Sequence, residues 1–367
     1  MASYQCRGKN KLWSVRFTII DNGKEITKRL SGFSKKKDAE LAYSEFIAEY
    51  SKTEHKIDSD IKNKNFNIVF NEYFNYKKDK IKDSSLYDIN SIYNLHIKPY
   101  FEKYKIKEIT KPICLQWQQT LSKYSYKYKT KIRGVLYSFY KYLYYYYDID
   151  NVIDRVESFK RPKKKNEMQI WSLDEFSNFI NSIDDDLLYK TFFTFLYYTG
   201  CRLGEALAIN YNDFNFKQNS LKINKNITNK IYDKQEKQTY SITTPKNESS
   251  FRTILLPQVL ICQLNDYIKN NPECKTSDFF FGLNKPLDDH TIYRRLEKYT
   301  EKSNNTKIRI HDFRHSHVSF LIQNGANIVL ISKRVGHTNT QQTLNTYAHL
   351  FPNSEKELID IIDNKML

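Results

Sequence analysis

The first part of the chain alternates apolar and polar positions, which is typical of strands with one buried face. Residues 12–19 alternate in this way, "DNG" at 21–23 favours a hairpin turn, and residues 26–30 continue the pattern on a second strand. Ser34 is placed to cap a helix that follows. We therefore expect residues 1–55 to form a domain with a small sheet and one helix. Its apolar positions are Trp13, Val15, Phe17 and Ile19 on the first strand, and Ala39, Tyr43, Phe46, Ile47 and Tyr50 on the helix.

The middle of the chain repeats its apolar residues at helical spacing instead. "FNIVFNEYFNY" is one predicted helix. Ser85 can cap a second helix that ends near Ile97, before Pro99, and Thr110 with Pro112 starts a third. A fourth helix covers "TKIRGVLYSFYKYLYYYY", and its predicted core positions are Val135, Phe139, Tyr142 and Leu143.

These helices predict a second domain, over residues 62–157. The stretch "KRPKKKNE" is basic and interrupted by proline, so we expect a linker over residues 158–170. A third domain is predicted over residues 171–367, where Ser172 and Glu175 have the spacing of a capping box.

The third domain shows mostly helical signals. A helix over 187–198 ends at Gly200, and a short helix follows over 203–208. Two or three strands are expected up to residue 257, with a hairpin at "TTPKNESSFRTILLP". Two later helices are predicted over 311–323 and 328–335, the second of them ending at Gly336. The fold class is therefore mixed but mainly α, with a small antiparallel sheet in this domain.

Composition adds a charge argument to this outline. The 367 residues carry a formal net charge of +17. Residues 56–165 hold 24 basic and 12 acidic side chains, whereas residues 166–367 hold 24 and 23. This excess favours a polyanionic partner, with a basic surface of no special function as the alternative. The five cysteines are scattered and form no CxxC pair, and no apolar run reaches ~18 residues, so a cytoplasmic, nucleoid-associated protein without a membrane segment is expected.

Four stretches of the third domain place polar residues where a helical core does not need them. They are "TGCRLGEAL", "TTPKNESSFR", "HDFRHSH" and "RVGHTNTQQTLNTYAHL". In chain order they supply the candidate catalytic residues Arg202, Lys246, His311, Arg314, His337 and Tyr347. This set and its order resemble the tyrosine recombinases, or lambda-type integrases. His337 and Tyr347 are 10 positions apart, and "VGH" stands where many relatives have Leu-Gly-His.

The resemblance implies an architecture, an activity and a set of partners. The first 55 residues are similar to the arm-type DNA-binding domain of integrases from conjugative transposons and temperate phages, and the next domain to the SAM-like helical core-binding domain. The implied function is integration and excision of a mobile element through a 3′-phosphotyrosyl intermediate. The implied partners are double-stranded DNA at core and arm sites, a homotetramer on that DNA, and an excisionase or DNA-bending protein.

The candidate residues also fit the chemistry of phosphodiester transfer. Two arginines can bind the nonbridging oxygens, and His337 can donate a further hydrogen bond. His311 can act as a base near the phenol or as a second donor, and Lys246 as the general acid. Tyr347 is the expected nucleophile, with nearby cations lowering its pKa. Glu205 is expected to orient an arginine. Neither a metal nor ATP is required, so no cofactor is expected.

Candidate DNA-binding residues lie outside this set. The exposed face of the first sheet, the start of the fourth helix and the linker are each basic. An ordinary solvated surface is the competing interpretation for all three. The candidates are Arg16, Thr27, Arg29, Lys127, Lys129, Lys131, Arg133, Lys163, Lys164 and Lys165.

Several alternatives stay open at this point. The chain could be a type IB topoisomerase, or a non-enzymatic DNA-binding regulator on the same scaffold. Singly, Arg202 could pair with Glu205 without a catalytic role, Lys246 could be a solvated turn residue, and the histidines of "HDFRHSH" could suggest a metal. The tail "SEKELIDIIDNKML" is expected to contact another subunit or, alternatively, to pack on its own domain. Its apolar residues are Leu358, Ile359, Ile361 and Ile362.

Overall fold

The computed structural model describes residues 3–7, 12–21, 24–162, 168–233, 238–244 and 248–347. The chain divides into two compact units, residues 1–164 and residues 165–367, called here the N-terminal and C-terminal units. Within the described ranges, no helix is both long enough and apolar enough to cross a membrane.

The N-terminal unit begins with an antiparallel sheet of three strands in the order β1 (Ser3–Arg7), β2 (Leu12–Asp21) and β3 (Lys24–Phe33). The apolar face of β2 packs against α1 (Lys36–Asn63), as the alternation predicts. Gly32 has a φ of +103° where the register between β2 and β3 shifts, because a bulge there needs a conformation that glycine adopts freely. The side chains that fill this interface are Val15, Phe17, Ile19, Tyr43, Phe46 and Ile47.

The predicted cap of α1 is wrong by one residue. Lys35 occupies the N-cap without a capping side chain, and the Ser34 hydroxyl donates instead to the Asp38 carboxylate at 3.2 Å. The helix therefore starts one residue later than a serine cap would require. The helix has no side-chain cap, but the negative charge of Asp38 in its first turn stabilises its N-terminus through the helix dipole.

A bundle of helices with an aromatic core completes the N-terminal unit. Phe70 stacks on Tyr93 with ring centroids 3.9 Å apart, and Phe139 packs against both Phe66 and Phe70. The elements are α2 (Phe66–Lys78), α3 (Asp83–Ile92), a π turn (Tyr93–Ile97), α4 (Lys98–Phe101), a 3₁₀ turn (Ile106–Glu108), α5 (Lys111–Thr120), α6 (Tyr126–Tyr147) and a second 3₁₀ turn (Val152–Arg155).

Thr110 and Pro112 start α5 as predicted, but the preceding helix differs from its prediction at both ends. It begins at Asp83, so Ser85 is its third residue and not its cap. At the other end the chain passes Pro99 and stays helical to Phe101. The wider π turn before Pro99 explains this, because it relieves the clash that a proline ring makes with the preceding turn of an α-helix.

The C-terminal unit is mainly helical, and several of its boundaries follow the predicted signals. Ser172 and Glu175 form a reciprocal capping box, and Gly200 and Gly336 end their helices in the left-handed conformation. The helices are α7 (Leu173–Asn181), α8 (Leu187–Thr199), α9 (Leu203–Leu207), α10 (Gln258–Asn270), α11 (Asp289–Lys302), α12 (Ile310–Gln323), α13 (Ile328–Val335) and α14 (Thr340–Tyr347).

The predicted hairpin at "TTPKNESSFRTILLP" is wrong. The described strands of this unit are β4 (Phe214–Asn215), β5 (Ser220–Ile223), β6 (Asn226–Thr228), β7 (Ser241–Thr243) and β8 (Arg252–Leu255). β7 pairs with β6, whereas β8 pairs with β5 in a separate sheet of order β4-β5-β8. Since each strand pairs with an earlier strand, β7 and β8 lie in separate sheets and do not pair with each other.

Aromatic rings form the core that supports α8 and α12. Phe176 stacks on Tyr197 at 3.7 Å, and Phe193 stacks on Phe313 at 5.6 Å. The Trp171 backbone N–H donates to the Ser316 hydroxyl at 2.9 Å, which ties the start of the unit to α12. This packing holds α8 and α12 in place. Arg202 follows the end of α8, and α12 carries His311 and Arg314.

Candidate active site

Arg202 is presented by a tight turn between α8 and α9. Gly200 has a φ of +63°, which glycine adopts without strain. A Cβ at this position would lie 2.7 Å from Cδ2 of His317, so the turn also requires the absence of a side chain. Arg202 follows at the N-cap of α9, with its side chain 37% exposed. The "TGCR" sequence thus places one guanidinium at the protein surface beside a buried turn.

Glu205 lies beneath Arg202 and binds two guanidinium groups. Its carboxylate is 2% exposed and accepts hydrogen bonds of 2.8 Å from Nη1 of Arg202 and from Nη2 of Arg252. Burial acts to raise the pKa of Glu205, but the hydrogen bond and charge of Arg252, with the charge of Arg202, hold that pKa below its usual value. An ionised Glu205 is thus positioned to orient Arg202, the role predicted for it.

Arg314 is a buried cation with an unused donor. It is 2% exposed on α12, and its Nη1 donates to the Gly200 carbonyl at 2.9 Å. Within the described part of the chain, Nη2 has no hydrogen-bond partner. Desolvation, followed by the charge of Arg202, lowers the pKa of Arg314 to about 9. A bound anion would satisfy the unused donor and offset both effects.

His337 is held by one edge of its ring. It directly follows Gly336, whose carbonyl accepts from Nη2 of Arg202 at 3.2 Å. Nδ1 of His337 lies 2.7 Å from the Thr343 hydroxyl, which in turn bonds Ser332 at 2.7 Å. Desolvation and the charges of Arg314 and Arg202 lower the pKa of His337 to about 4. The ring is therefore neutral at pH 7, with Nε2 at the edge opposite Thr343.

Tyr347 is buried, and the expected direction of its pKa shift is wrong. It is 1% exposed and packs in a cluster with Val318, Ile322, Ile331 and Val335. Burial raises the pKa of Tyr347, and the positive charge of Arg314 offsets that rise only in part. The phenol is therefore neutral in this structure. Its hydroxyl has to become accessible before it can meet a phosphate.

The histidine that touches the Tyr347 hydroxyl is His315, not His311. Nδ1 of His315 lies 2.5 Å from the phenol oxygen. His311 meets the His315 ring edge to face, with centroids 4.9 Å apart. Sequence reasoning missed His315, although a signal was present: positions 311, 314 and 315 share one face of a helix. Among the described residues, no cluster of three or more histidine, cysteine or acidic side chains is arranged for a metal ion.

Two further arginines hold the elements of the site together. Nε of Arg252 donates to the Arg334 carbonyl at 2.8 Å, in addition to the bonds of Arg252 with Glu205. The Arg334 side chain donates to the Leu255 and Tyr198 carbonyls, each at 3.0 Å, and to Nε2 of His317 at 3.1 Å. Arg334 thus connects α13, β8, α8 and α12. The sequence around Arg334 gives no sign of these contacts.

Lys246 lies outside the described residues, so its predicted role as general acid stays a prediction. The same holds for the linker candidates Lys163, Lys164 and Lys165, and for the apolar tail. The described chain ends at Tyr347.

The candidate DNA-binding residues of the sheet share one exposed face. Arg16 pairs in register with Arg29, and Thr27 pairs with Thr18 on the face opposite Phe17. Nη2 of Arg29 donates to the Ser14 hydroxyl at 3.0 Å, so this guanidinium is anchored within the sheet. The arrangement leaves a polar, basic surface on the side away from α1.

The candidates on α6 differ among themselves. Lys127 is exposed, Lys129 lies 4.7 Å above the ring of Phe159, and Lys131 forms a 2.8 Å ion pair with Asp88. Arg133 is used by the fold, because its Nη2 donates to the carbonyls of Ile153 and Val156. Of the four, Lys127 has the side chain most available to a phosphate.

Comparisons with known proteins agree with this geometry. Residues 171–354 match the model of the phage integrase family, half of the chain. The chain belongs to the phage integrase family. Residues 65–122 match the N-terminal SAM-like domain of phage integrases, and residues 2–50 match an arm DNA-binding domain. The protein is thus a site-specific tyrosine recombinase of the kind that mobile elements carry, and the resemblance drawn from its motifs is confirmed.

The sequence is also similar to those of individual integrases. It is 30% identical over 289 residues to the ICEBs1 integrase of Bacillus subtilis, covering 74% of this chain and 76% of the relative. It is 24% identical over 371 residues to the prophage ps2 probable integrase of Lactococcus lactis, covering 93% and 94%. The second alignment spans nearly the whole of both chains.

Solved structures share the fold at lower identity. The Tn1549 transposon integrase in complex with a circular intermediate DNA gives a TM-score of 0.66 at 15% identity, covering 82% of this chain and 98% of that one. A lambda integrase dimer bound to a COC′ core site gives 0.59 at 14% identity, covering 96% and 97%.

Proposed function

We propose that this integrase integrates and excises its mobile element through a 3′-phosphotyrosyl intermediate formed by Tyr347. The observation that carries the proposal is the buried guanidinium of Arg314. Its Nη2 has no partner among the described residues, the charge of Arg202 lowers its pKa, and its own charge acts on the Tyr347 phenol. A phosphodiester is the anion that would use both the cations and the nucleophile.

The proposed reaction assigns a role to each of the candidate residues. Arg202 and Arg314 bind the nonbridging oxygens of the scissile phosphate, while Nε2 of His337 donates a further hydrogen bond. The Tyr347 hydroxyl gives its proton to a histidine of α12 as its oxygen attacks phosphorus, and the bond to the 5′ oxygen breaks. Lys246 gives that oxygen its proton. The phosphotyrosyl ester keeps the energy of the broken linkage, so the 5′ hydroxyl of another strand can reverse the step without ATP.

A nicked suicide duplex carrying the end sequence of the element tests the nucleophile. Wild-type protein should form a covalent adduct that survives a denaturing gel. Tyr347→Phe should bind the same duplex and form none, and an adduct at wild-type level in this variant would remove Tyr347 from the mechanism. Strand exchange between two duplexes separates an integrase from a topoisomerase, whereas a regulator would trap no DNA at all.

Lys246 is tested as the general acid with a bridging 5′-sulfur substrate. Loss of a general acid costs about 10²–10⁴ in rate. Because a thiolate leaves without a proton, Lys246→Ala should cleave the sulfur substrate far better than the oxygen substrate, relative to wild type. Equal defects on the two substrates would mean that Lys246 only screens phosphate charge.

The N-terminal unit is proposed to bind DNA at two kinds of site. The sheet face with Arg16, Thr27 and Arg29 would contact arm sites, and Lys127, Lys129 and Lys131 of α6, with the linker lysines, would contact core DNA. Deleting residues 1–55 should therefore abolish gel-shift binding to arm-site DNA and leave cleavage of an isolated core site intact. Arm-site binding by the truncated protein would refute the assignment.

A homotetramer on DNA is the proposed assembly, with the apolar tail contacting a neighbouring subunit. The C-terminal unit offers two exposed leucines that could receive it, Leu255 at 69% and Leu330 at 64% exposed. The two elements that carry them are joined, because Arg334, one turn after Leu330, donates to the Leu255 carbonyl. Truncation after Pro352 should prevent synaptic tetramers in native gels. Unchanged tetramers would place the tail on its own domain.

A further inference from the structure

We infer that His315 is the catalytic base that takes the proton from Tyr347, a role that neither the motif nor the family match assigns to it. The inference rests on the proposed nucleophile. Its basis is a single direct contact: Nδ1 of His315 lies 2.5 Å from the phenol oxygen, the atom that attacks phosphorus. This distance is at the short end for a hydrogen bond to a hydroxyl.

The surroundings of His315 keep both partners of this contact uncharged. His311, Asp312 and Arg314 lie beside it on α12, Arg309 caps that helix, and Tyr347 faces it from α14. Burial and the neighbouring cations keep the imidazole neutral, and burial also keeps the phenol neutral. Two neutral partners at 2.5 Å can share one hydrogen bond in either direction. The role of base assigns the phenol O–H as the donor to an unprotonated Nδ1, with the imidazole proton on Nε2.

This geometry prepares the oxygen for attack. With its O–H directed at Nδ1, the phenol keeps its lone pairs free for phosphorus. As the bond between this oxygen and phosphorus forms, the proton passes to Nδ1 and His315 becomes an imidazolium. The bond to the 5′ oxygen breaks, and that oxygen takes its proton from a separate acid. In religation His315 returns the proton to the phenol, so atoms and charges balance over the cycle.

His311 is the competing base, since it is the histidine of the His-x-x-Arg motif. It contacts the His315 ring and not the phenol oxygen in the described contacts. The structure therefore leaves His311 to donate to the phosphate, or to stabilise the imidazolium of His315 from its edge.

The proposal can first be tested on the unaltered protein. In ¹⁵N-histidine spectra at pH 7, His315 should show an unprotonated Nδ1 and a protonated Nε2, with its Nδ1 signal identified by its shift in Tyr347→Phe. A proton on Nδ1 would overturn the proposal, because the histidine would then be donating to the phenol.

Single-turnover cleavage then separates a base from a structural support. His315→Gln can still hydrogen-bond the phenol but cannot take its proton, so cleavage should fall by about 10²–10⁴ with DNA affinity unchanged. The bridging 5′-sulfur substrate should not relieve this defect, because the leaving group is not at fault. In His315→Ala, added imidazoles should restore cleavage, and more basic imidazoles should restore it faster.

His311→Gln is the matched control, one turn away on the same helix face. His311→Gln should retain more activity than His315→Gln. Added imidazoles should not restore cleavage in His311→Ala. Rescue at position 311 and not at 315 would overturn the inference. Adduct formation by wild type and its loss in Tyr347→Phe would still establish the nucleophile, so a failure here is distinct from a failure of the proposed reaction.

Discussion

The two units of this integrase differ in where their charged side chains lie. The N-terminal unit is strongly basic, yet among its described residues the only buried polar side chain, tyrosine hydroxyls aside, is Ser14. The nearly balanced C-terminal unit buries ionisable groups: Glu205, Asp312, Arg314 and His317 are each at most 4% exposed. Among the described residues, buried charged side chains occur only in the C-terminal unit.

This difference indicates separate roles for the surface charges of the N-terminal unit and the buried charges of the C-terminal unit. Surface lysines and arginines contribute little to folding stability, whereas on DNA such side chains neutralise phosphates and release counterions. Buried charges cost desolvation energy unless each has a partner, so they must be arranged in networks such as Glu205 with Arg202 and Arg252. In the proposed reaction, such a network would hold the guanidinium groups in place before the phosphate binds, which is the preorganisation that catalysis requires.

Glu205→Gln should show the largest effect. Removing one partner from a buried ion pair leaves uncompensated charge, so we expect the C-terminal unit to lose about 3–5 kcal/mol of unfolding free energy. The amide hydrogen exchange of α9 and α12, measured against denaturant, reports it. The matched control is Glu72→Gln, whose pair with Lys64 spans 3.4 Å and is about one-third exposed. It should cost about 1 kcal/mol or less, and equal losses would end the contrast between the units.

Acid should have the second-largest effect and should destabilise the C-terminal unit. Burial, followed by the charge of Arg334, lowers the pKa of His317 to about 3. An unfolded histidine titrates near 6.5, so between these values the unfolded state binds more protons and stability falls as pH falls. His317 alone should cost about 2 kcal/mol at pH 5, and His315 and His337 act in the same direction.

Hydrogen exchange at pH 7, 6 and 5 locates this effect. Protection should decrease in α8, α12 and α13 before it decreases in α6. His317→Gln should flatten the pH dependence even if it lowers stability at pH 7. If α6 opened first on acidification, the buried histidines would not be the cause.

How much of this could be predicted from sequence depends on the range of the interaction. Signals that act within one turn were sufficient: Gly200, Gly336 and the capping box of Ser172 end or begin helices where expected. The order of Arg202, His311, Arg314, His337 and Tyr347 was enough for the family. Ser34 and Ser85 failed because several residues could cap their helices, and local pattern does not choose among them.

Interactions between elements far apart in sequence were not predictable in the same way. The pairing of His315 with Tyr347 depends on how α14 packs on α12, and the burial that raises the tyrosine pKa depends on the same packing. β7 and β8 look like a hairpin because they are adjacent in sequence, yet each pairs with a strand that precedes both. Nothing local to Arg334 indicates that its partners lie on β8, α8 and α12.

A smaller effect on stability is expected from the exposed arginine of the sheet. Arg16→Gln should change unfolding free energy by no more than about 0.5 kcal/mol, because the side chain is exposed. Binding to arm-site DNA should weaken, and the slope of log affinity against log salt should fall by about 1 for the lost phosphate contact. Lys28→Gln is the control, since Lys28 lies on the same sheet but over Phe46 on the opposite face. Equal losses of affinity would mean that the sheet face is not specific.

Chelation of metal ions should leave the rate of DNA cleavage unchanged. In the proposed reaction, the charge that a metal would supply to the phosphate comes from Arg202 and Arg314. Arg314 is buried, and its Nη2 has no partner among the described residues. Covalent trapping on the suicide duplex should therefore run at the same rate in excess EDTA as in Mg²⁺, at equal ionic strength. Arg314→Lys sharpens the test, because a lysine keeps a positive charge but loses the second donor of the fork. We expect this variant to cleave slowly with or without Mg²⁺. Restoration of its rate by Mg²⁺, or loss of wild-type trapping in EDTA, would show that buried side-chain charge is not sufficient in this unit.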